Sequence, residues 1–361
     1  MRASPRSTPA TTAPDGAVWT RYRRNTARHL IGIARELQHE VLRTLTDEFG
    51  HRGLRPSFGP LVNRVALAPR PMCELATALG VSPQACSQLV SAAARSGYVE
   101  RRADPNDGRT RVIALTEPGM RLVADAARVL RRIAADYAKR IGADEMARFE
   151  NAAGRLFEVL AGARPRTRSE NNRVAIGSLA YLSVEAQRTL MRSAAARGHD
   201  GLKMSHAQVL PLIGAEGARV GALARLQRIS RQAISATARE LEGLGYLRRE
   251  PDPRDRRGVV FKLTESGERL IEDSVHALDE LDALYVEKIG RRRATAFERG
   301  ARALYEALGL EREIFETSAA GEQPLTRLAA RLRRELGNDD ADRLARLLAT
   351  DGGSRAASPA H

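Results

Sequence analysis

The sequence predicts a mainly α-helical protein made of two copies of one unit. Each unit is a helix–turn–helix followed by a small two-stranded β-hairpin, with long helices on both sides. Three observations predict this. The stretch DPNDGRTRVIALTEPG at 104–119 returns as DPRDRRGVVFKLTESG at 252–267, 148 residues on at both ends. A motif repeated at a fixed offset marks a repeated structural unit. The same offset pairs Gly97-Tyr98 with Gly245-Tyr246, Leu75-Ala76 with Leu223-Ala224, Tyr137 with Tyr285 and Ile141-Gly142 with Ile289-Gly290. Finally, the apolar residues follow a helical period almost everywhere and alternate only beside the repeated turn.

In chain order, residues 19–45 read as one long helix, with Ile31, Ile33, Leu37, Val41, Leu42 and Leu45 largely on one stripe. Leu61, Val62 and Val65 mark a short second helix. CELATALGVSPQACSQLVSAAARSGYV then reads as helix, turn, helix, with Gly80 in the turn, Ser82 as N-cap and Pro83 in the first helical position. RVIAL alternates in the strand period and pairs back onto 99–103 through the turn at 104–110. Thr116 caps a long helix over 117–141, and a further helix covers 144–160. The polar segment 163–172 breaks the pattern and reads as a linker.

The series then repeats. Helices are expected over 174–196 and 207–213, a helix–turn–helix over 223–244 with Ser230 as N-cap, and the hairpin over 246–264. Helices over 265–289 and 295–308 follow. The first helices of the two copies show no clean register. After them, PLTRLAARLRRELG places Leu325, Leu328, Leu332 and Leu336 on one helical face. The expected organisation is a disordered leader at 1–17, a first domain at 18–162, a linker at 163–172, a second domain at 173–318, and an amphipathic helix with a disordered tail at 319–361.

The chain has 361 residues, a formal net charge of +15 and only 4% aromatic residues. Its cores must therefore be mostly aliphatic, and its charge points to an anionic partner, nucleic acid first. No apolar run reaches the ~18 residues a membrane span needs, and the N-terminus lacks the apolar stretch of a secretory signal. Two cysteines argue against a disulfide scaffold and for the cytoplasm. No catalytic or cofactor-binding constellation stands out: HExxH, a phosphate-binding glycine loop and CxxC are all missing from the sequence. The chain is therefore not expected to be an enzyme or to hold a metal or cofactor. The seven histidines read as ordinary, and Cys73 and Cys86 as packing residues.

Helix–turn–helix plus hairpin is the winged-helix arrangement. The stretches GYVERRADPNDGRTRVIALTEPG and GYLRREPDPRDRRGVVFKLTESG, set between long helices, resemble the MarR family of transcriptional regulators. The resemblance covers nearly all of 20–315 and implies two fused winged helix–turn–helix domains that bind specific double-stranded DNA, most often as a repressor. A helix entering the major groove needs short polar or basic residues on one face. Gln84, Ser87, Gln88 and Ser91 supply that face in the first copy, and Arg231, Gln232, Ser235 and Arg239 in the second. An idle solvated face would instead carry a Glu/Lys mixture. Arg109 and Arg257 stand at matched positions in the wings, with Asp107 and Asp255 two residues earlier to aim them by ion pairing. The resemblance gives these arginines a minor-groove contact; a plain surface ion pair is the alternative. Arg101 and Arg249, at the wing bases, suit phosphate contacts. Arg111, Arg256 and the N-caps Ser82 and Ser230 complete the expected DNA-binding set.

The resemblance further implies release of DNA by a small hydrophobic or phenolic effector bound between reading head and long helices. Family dimers are built by the N- and C-terminal helices of identical chains. Here the linker joins the two halves, so one chain is expected to form an intrachain pseudo-dimer, unless the unpaired C-terminal helix joins tandem chains into a homodimer. The competing reading is a non-specific architectural or protein-interaction module that has lost base readout.

Overall fold

The structure is a computed structural model describing residues 16–104, 110–162, 168–213, 217–219, 231–252 and 255–310, with backbone alone for 168–174, 204, 208, 231 and 255–257. By its contacts the chain divides into Met1–Glu311 and Arg312–His361; the second unit, with the expected leucine-striped helix, lies outside the described residues. So do residues 1–15, most of the expected leader.

The first half opens with α1 (Gly16–Arg23) and α2 (Thr26–Asp47), not with one continuous helix. The break is at Asn25, which is extended (φ −152°, ψ 159°) and accepts a hydrogen bond from the Arg28 N–H. An asparagine that caps its own downstream turn competes with helix continuation. Next come α3 (Phe58–Leu67), β1 (Arg70–Pro71), α4 (Met72–Leu79), α5 (Pro83–Arg95), β2 (Val99–Ala103) and β3 (Arg111–Leu115). The expected two-stranded wing is a three-stranded antiparallel sheet in the order β1-β3-β2, because Arg70 and Pro71 pair with Ile113 and Val112. Two residues are too few for a strand period to show in sequence.

The helices α6 (Glu117–Ile141) and α7 (Ala143–Ala161) complete this half. Thr116 caps α6 by accepting from the Gly119 N–H at 3.1 Å. A Cβ on Gly119 would sit 2.0 Å from the Tyr98 carbonyl oxygen, so only glycine lets the helix leave the sheet this closely.

The second half follows the same order where it is described, with α8 (Arg168–Ala196), α9 (Met204–Val209), β4 (Ala218–Arg219), α10 (Arg231–Gly243), β5 (Leu247–Asp252), β6 (Asp255–Leu263), α11 (Glu265–Ile289) and α12 (Arg291–Ala307); the first helix of the expected helix–turn–helix, from 223, lies outside the described residues. Helix α8 starts inside the segment read as the linker. The sheet is again three-stranded, β4-β6-β5. Thr264 and Gly267 repeat the cap at 3.1 Å, and a Cβ on Gly267 would meet the Tyr246 carbonyl at 2.2 Å. The shared Leu-Thr-x-x-Gly thus has one local cause in both copies.

Long helices of the two halves pack together. Helix α7 lies on α8 and α12, and α2 lies on α8 and α12. At this seam the buried rings of Phe149 and Phe297 stack at 5.4 Å, and Tyr285 meets Phe297 edge-on at 5.8 Å. Gly300 makes room for Phe149. Arg21 bridges to Asp279 and Asp282 at 2.8 and 2.6 Å, and Arg299 pairs with Glu145 at 2.8 Å. Exposed pairs of this kind contribute at most ~1 kcal/mol, whereas each buried phenylalanine contributes about 1.5–3 kcal/mol. The apolar seam dominates. Among the described residues, no helix is long and apolar enough to cross a membrane.

Candidate nucleic-acid interface

In the first copy, α4 ends at Gly80, whose left-handed backbone (φ 63°, ψ 38°) turns the chain toward α5. Ser82 accepts from the Ala85 N–H at 3.2 Å and starts α5 at Pro83. Cys86, Val90 and Ala93 are buried beneath that helix. Gln84 and Gln88 are exposed, and Ser87 and Ser91 half-buried, on the other side. The expected reading face therefore lies on the outside of α5. Leu89 of the same helix is only partly covered.

In the second copy Ile234, Ala238 and Leu241 are buried, while Gln232 and Arg239 are exposed and Ser235 half-buried on α10. Ser230 lies outside the described residues, and Arg231 is described by its backbone alone. Arg239 Nε donates to the Ser235 carbonyl at 3.2 Å, which folds its side chain along the helix. Glu240 fastens α10 to the start of α9 through Lys203 at 2.9 Å and His206 at 3.0 Å. These two donors hold the Glu240 carboxyl below its usual range, the His206 hydrogen bond most. His206 replaces Phe58 of the first copy, so the two recognition helices are supported by different chemistry.

On the first wing, Arg101 and Arg111 are exposed, Arg101 opposite Ile113 and Arg111 opposite Ala103. Asp107 and Arg109 lie outside the described residues. On the second wing, Asp255, Arg256 and Arg257 sit on β6, described by backbone alone. Arg249 pairs with Glu242 of α10 at 2.7 Å and lies 5.5 Å over the Phe261 ring. It braces wing against recognition helix. The sequence reading missed the bidentate hold of Arg219 on the buried Asp252, with Nη2–Oδ1 at 2.8 Å. This pair ties β4 to the end of β5 where the register shifts by a bulge.

Sequence reading also missed a duplicated polar hub. His51 Nε2 meets Asp125 at 2.9 Å, and His199 Nε2 meets Asp273 at 2.8 Å. The rings lie 5.9 Å from Tyr98 and 5.6 Å from Tyr246. All three members repeat at the offset of 148 residues, so the register does reach the ends of the first helices. The signal was in the sequence, split across three distant segments. Each hub joins the loop after the first helix to the long helix after the wing and to the residue beginning the wing. Both histidines are buried parts of the packing. Cys86 is buried as expected, whereas Cys73, also expected to pack, is exposed. No cluster of metal-binding side chains occurs among the described residues.

Comparison with known proteins gives the chain two separate matches to the model of the MarR family, over residues 64–110 and 200–258. The first match ends just before β3 and the second within β6, so each covers a recognition helix and part of its wing. No curated protein matches the chain. Among solved structures, CouR from Rhodococcus jostii RHA1, crystallised with p-coumaroyl-CoA, is similar at 27% identity over 31% of this chain and 77% of that one (TM-score 0.27). The transcriptional regulator Tm0710 from Thermotoga maritima is similar at 22% identity over 37% and 94% (TM-score 0.27). YusO from Bacillus subtilis is similar at 17% over 43% and 100% (TM-score 0.29). Each overlap spans less than half of this chain.

Proposed function

Two MarR-family domains stand in tandem in this chain, and from that premise we propose that it is a sequence-specific, double-stranded-DNA-binding regulator, acting as a ligand-responsive repressor in the cytoplasm. The observation that carries the reading is the outward polar face on each recognition helix, over a buried apolar face and beside a basic wing, present twice. The recognition faces are Gln84, Ser87, Gln88 and Ser91 in one half and Arg231, Gln232, Ser235 and Arg239 in the other. The wing contacts are Arg109 and Arg257, oriented by Asp107 and Asp255, with 18–162 and 173–318 as the two halves.

The apolar seam between α7, α8, α12 and α2 supports an intrachain pseudo-dimer. Tethering makes that pairing intramolecular, with an effective concentration on the order of millimolar. Because the two faces differ, the half-sites should differ. The effector is a small hydrophobic or phenolic compound seated between a reading head and its long helices. It acts by favouring one spacing of the heads over another.

Selection of random double-stranded DNA by the purified protein tests the proposal. Enrichment of one motif with two unlike halves is expected. Recovery without any motif, with affinity that depends only on salt, identifies the non-specific architectural module instead.

A further inference from the structure

Arg28 and His29, neighbours on α2, hold polar atoms that the protein leaves unsatisfied. Arg28 Nε and His29 Nδ1 are both buried without a hydrogen-bond partner among the described residues. His29 is 7% exposed, and its ring lies 4.8 Å from that of Tyr305 on α12. The Tyr305 side chain hydrogen-bonds Arg28. Among the described residues the leading charges acting on the pair are those of Arg24, Arg35, Arg302, Tyr22 and Tyr305, and none of these is a carboxylate. Burial lowers the Arg28 proton affinity, and burial with the adjacent Arg28 charge pushes His29 down to about 4. A buried cation without a counter-ion is costly, and an unpaired buried nitrogen beside it adds to the cost.

The fold does not demand these groups. At the offset of 148 residues the other half carries Ile176, Gly177 and Phe157 in place of Arg28, His29 and Tyr305. There Ile176 is buried, and Phe157 rests edge-on against Tyr181 at 5.2 Å. The same seam is apolar on one side and cationic on the other.

We propose that Arg28, His29 and Tyr305 form a binding site for one small oxyanion, a carboxylate or a phosphate, at the seam of α2 and α12. The guanidinium supplies charge-assisted hydrogen bonds, the tyrosine an O–H and the neutral imidazole an N–H. Arg28 as a whole is half-buried, while its Nε is fully covered. Among the described residues this set occurs in one half alone, and a bound anion would link a helix of the first half to one of the second. It does not depend on the DNA-binding reading, since it involves neither recognition helix nor wing.

Thermal unfolding of the full chain, without DNA, tests it. Sodium benzoate, acetate and phosphate are each titrated against sodium chloride at equal ionic strength. A saturable rise in Tm is expected with at least one oxyanion. A response to benzoate or acetate alone identifies a carboxylate ligand, and to phosphate alone a phosphate ligand. R28I and Y305F install the residues of the other half, so a folded chain is expected. R28I should melt no lower than wild type without anion and bind the anion at least about tenfold more weakly; Y305F should weaken binding less. A wild type without a saturable shift in any of the three salts overturns the site, as does an R28I chain that keeps the full shift. If R28I does not fold, an undiminished shift in Y305F overturns it equally.

Discussion

Gly119 and Gly267 occupy positions where a single methyl group would run into a backbone carbonyl, at 2.0 and 2.2 Å. Backbone cannot swing aside as a side chain can. G119A and G267A should therefore each cost about 1–3 kcal/mol in urea unfolding; a cost near zero in both would contradict this account of the shared motif. A second residue-scale expectation concerns pH. His29 is held near 4 by burial and by Arg28, against 6.5 when unfolded, so the unfolded chain binds more protons between those values. Its contribution to stability is complete above pH 6.5 and is lost as pH falls through 4. Glu150 has the opposite sign: burial raises its carboxyl from 4.5 to about 7, so its contribution is complete below 4.5 and is lost as pH rises through 7. The slopes oppose one another, each at most about 1.4 kcal/mol per pH unit. H29Q should be less acid-sensitive than wild type below pH 6.5, and E150Q should gain stability relative to wild type toward pH 7. Stability curves parallel to wild type in both variants would contradict the two assignments. The Ser82 and Thr116 caps and Gly80 were legible because each acts within three residues of itself. The His51–Asp125 and His199–Asp273 hubs were not, because a lone histidine carries no period that announces its partner 74 residues away.

At the scale of elements, the helices were read well where a long apolar stripe decides them, as on α6 and α11. The break at Asn25 was missed because a cap embedded in a helical pattern looks like one more polar position. The short strands β1 and β4 were missed because two residues cannot alternate. The wings carry the element-scale prediction. R257A should lose roughly 1–3 kcal/mol of affinity for a selected site, and R109A a similar or smaller amount. Titration of labelled duplex by each variant checks this, and two wild-type affinities would remove the wings from the interface. The recognition helices make a different prediction. Replacing Gln232 should relax base preference in one half-site only, and replacing Gln84 in the other only, because each sits on its own helix. Repeating the DNA selection with each variant would show it; loss of preference at both halves from either change would contradict separate heads.

At the scale of the whole molecule, the seam decides how the chain behaves. Phe149 and Phe297 come from different halves and share one core. F297A should cost about 3–5 kcal/mol and lower the melting of both halves together, as followed by calorimetry. Two separated transitions would mean that the halves fold independently. The sequence offset shows why there are two units; the packing of α2, α7, α8 and α12 supports their use as a pair. The central claim is that one chain presents two unlike reading heads to one asymmetric site. The most direct test is the mass of the complex formed on a selected duplex, measured by sedimentation, with the duplex footprinted in parallel. The account predicts one chain per site, protecting two different half-sites about 34 Å apart along one face of the DNA. Two chains bound obligately to a perfect palindrome, each pairing its first domain with the other's first domain, would contradict it.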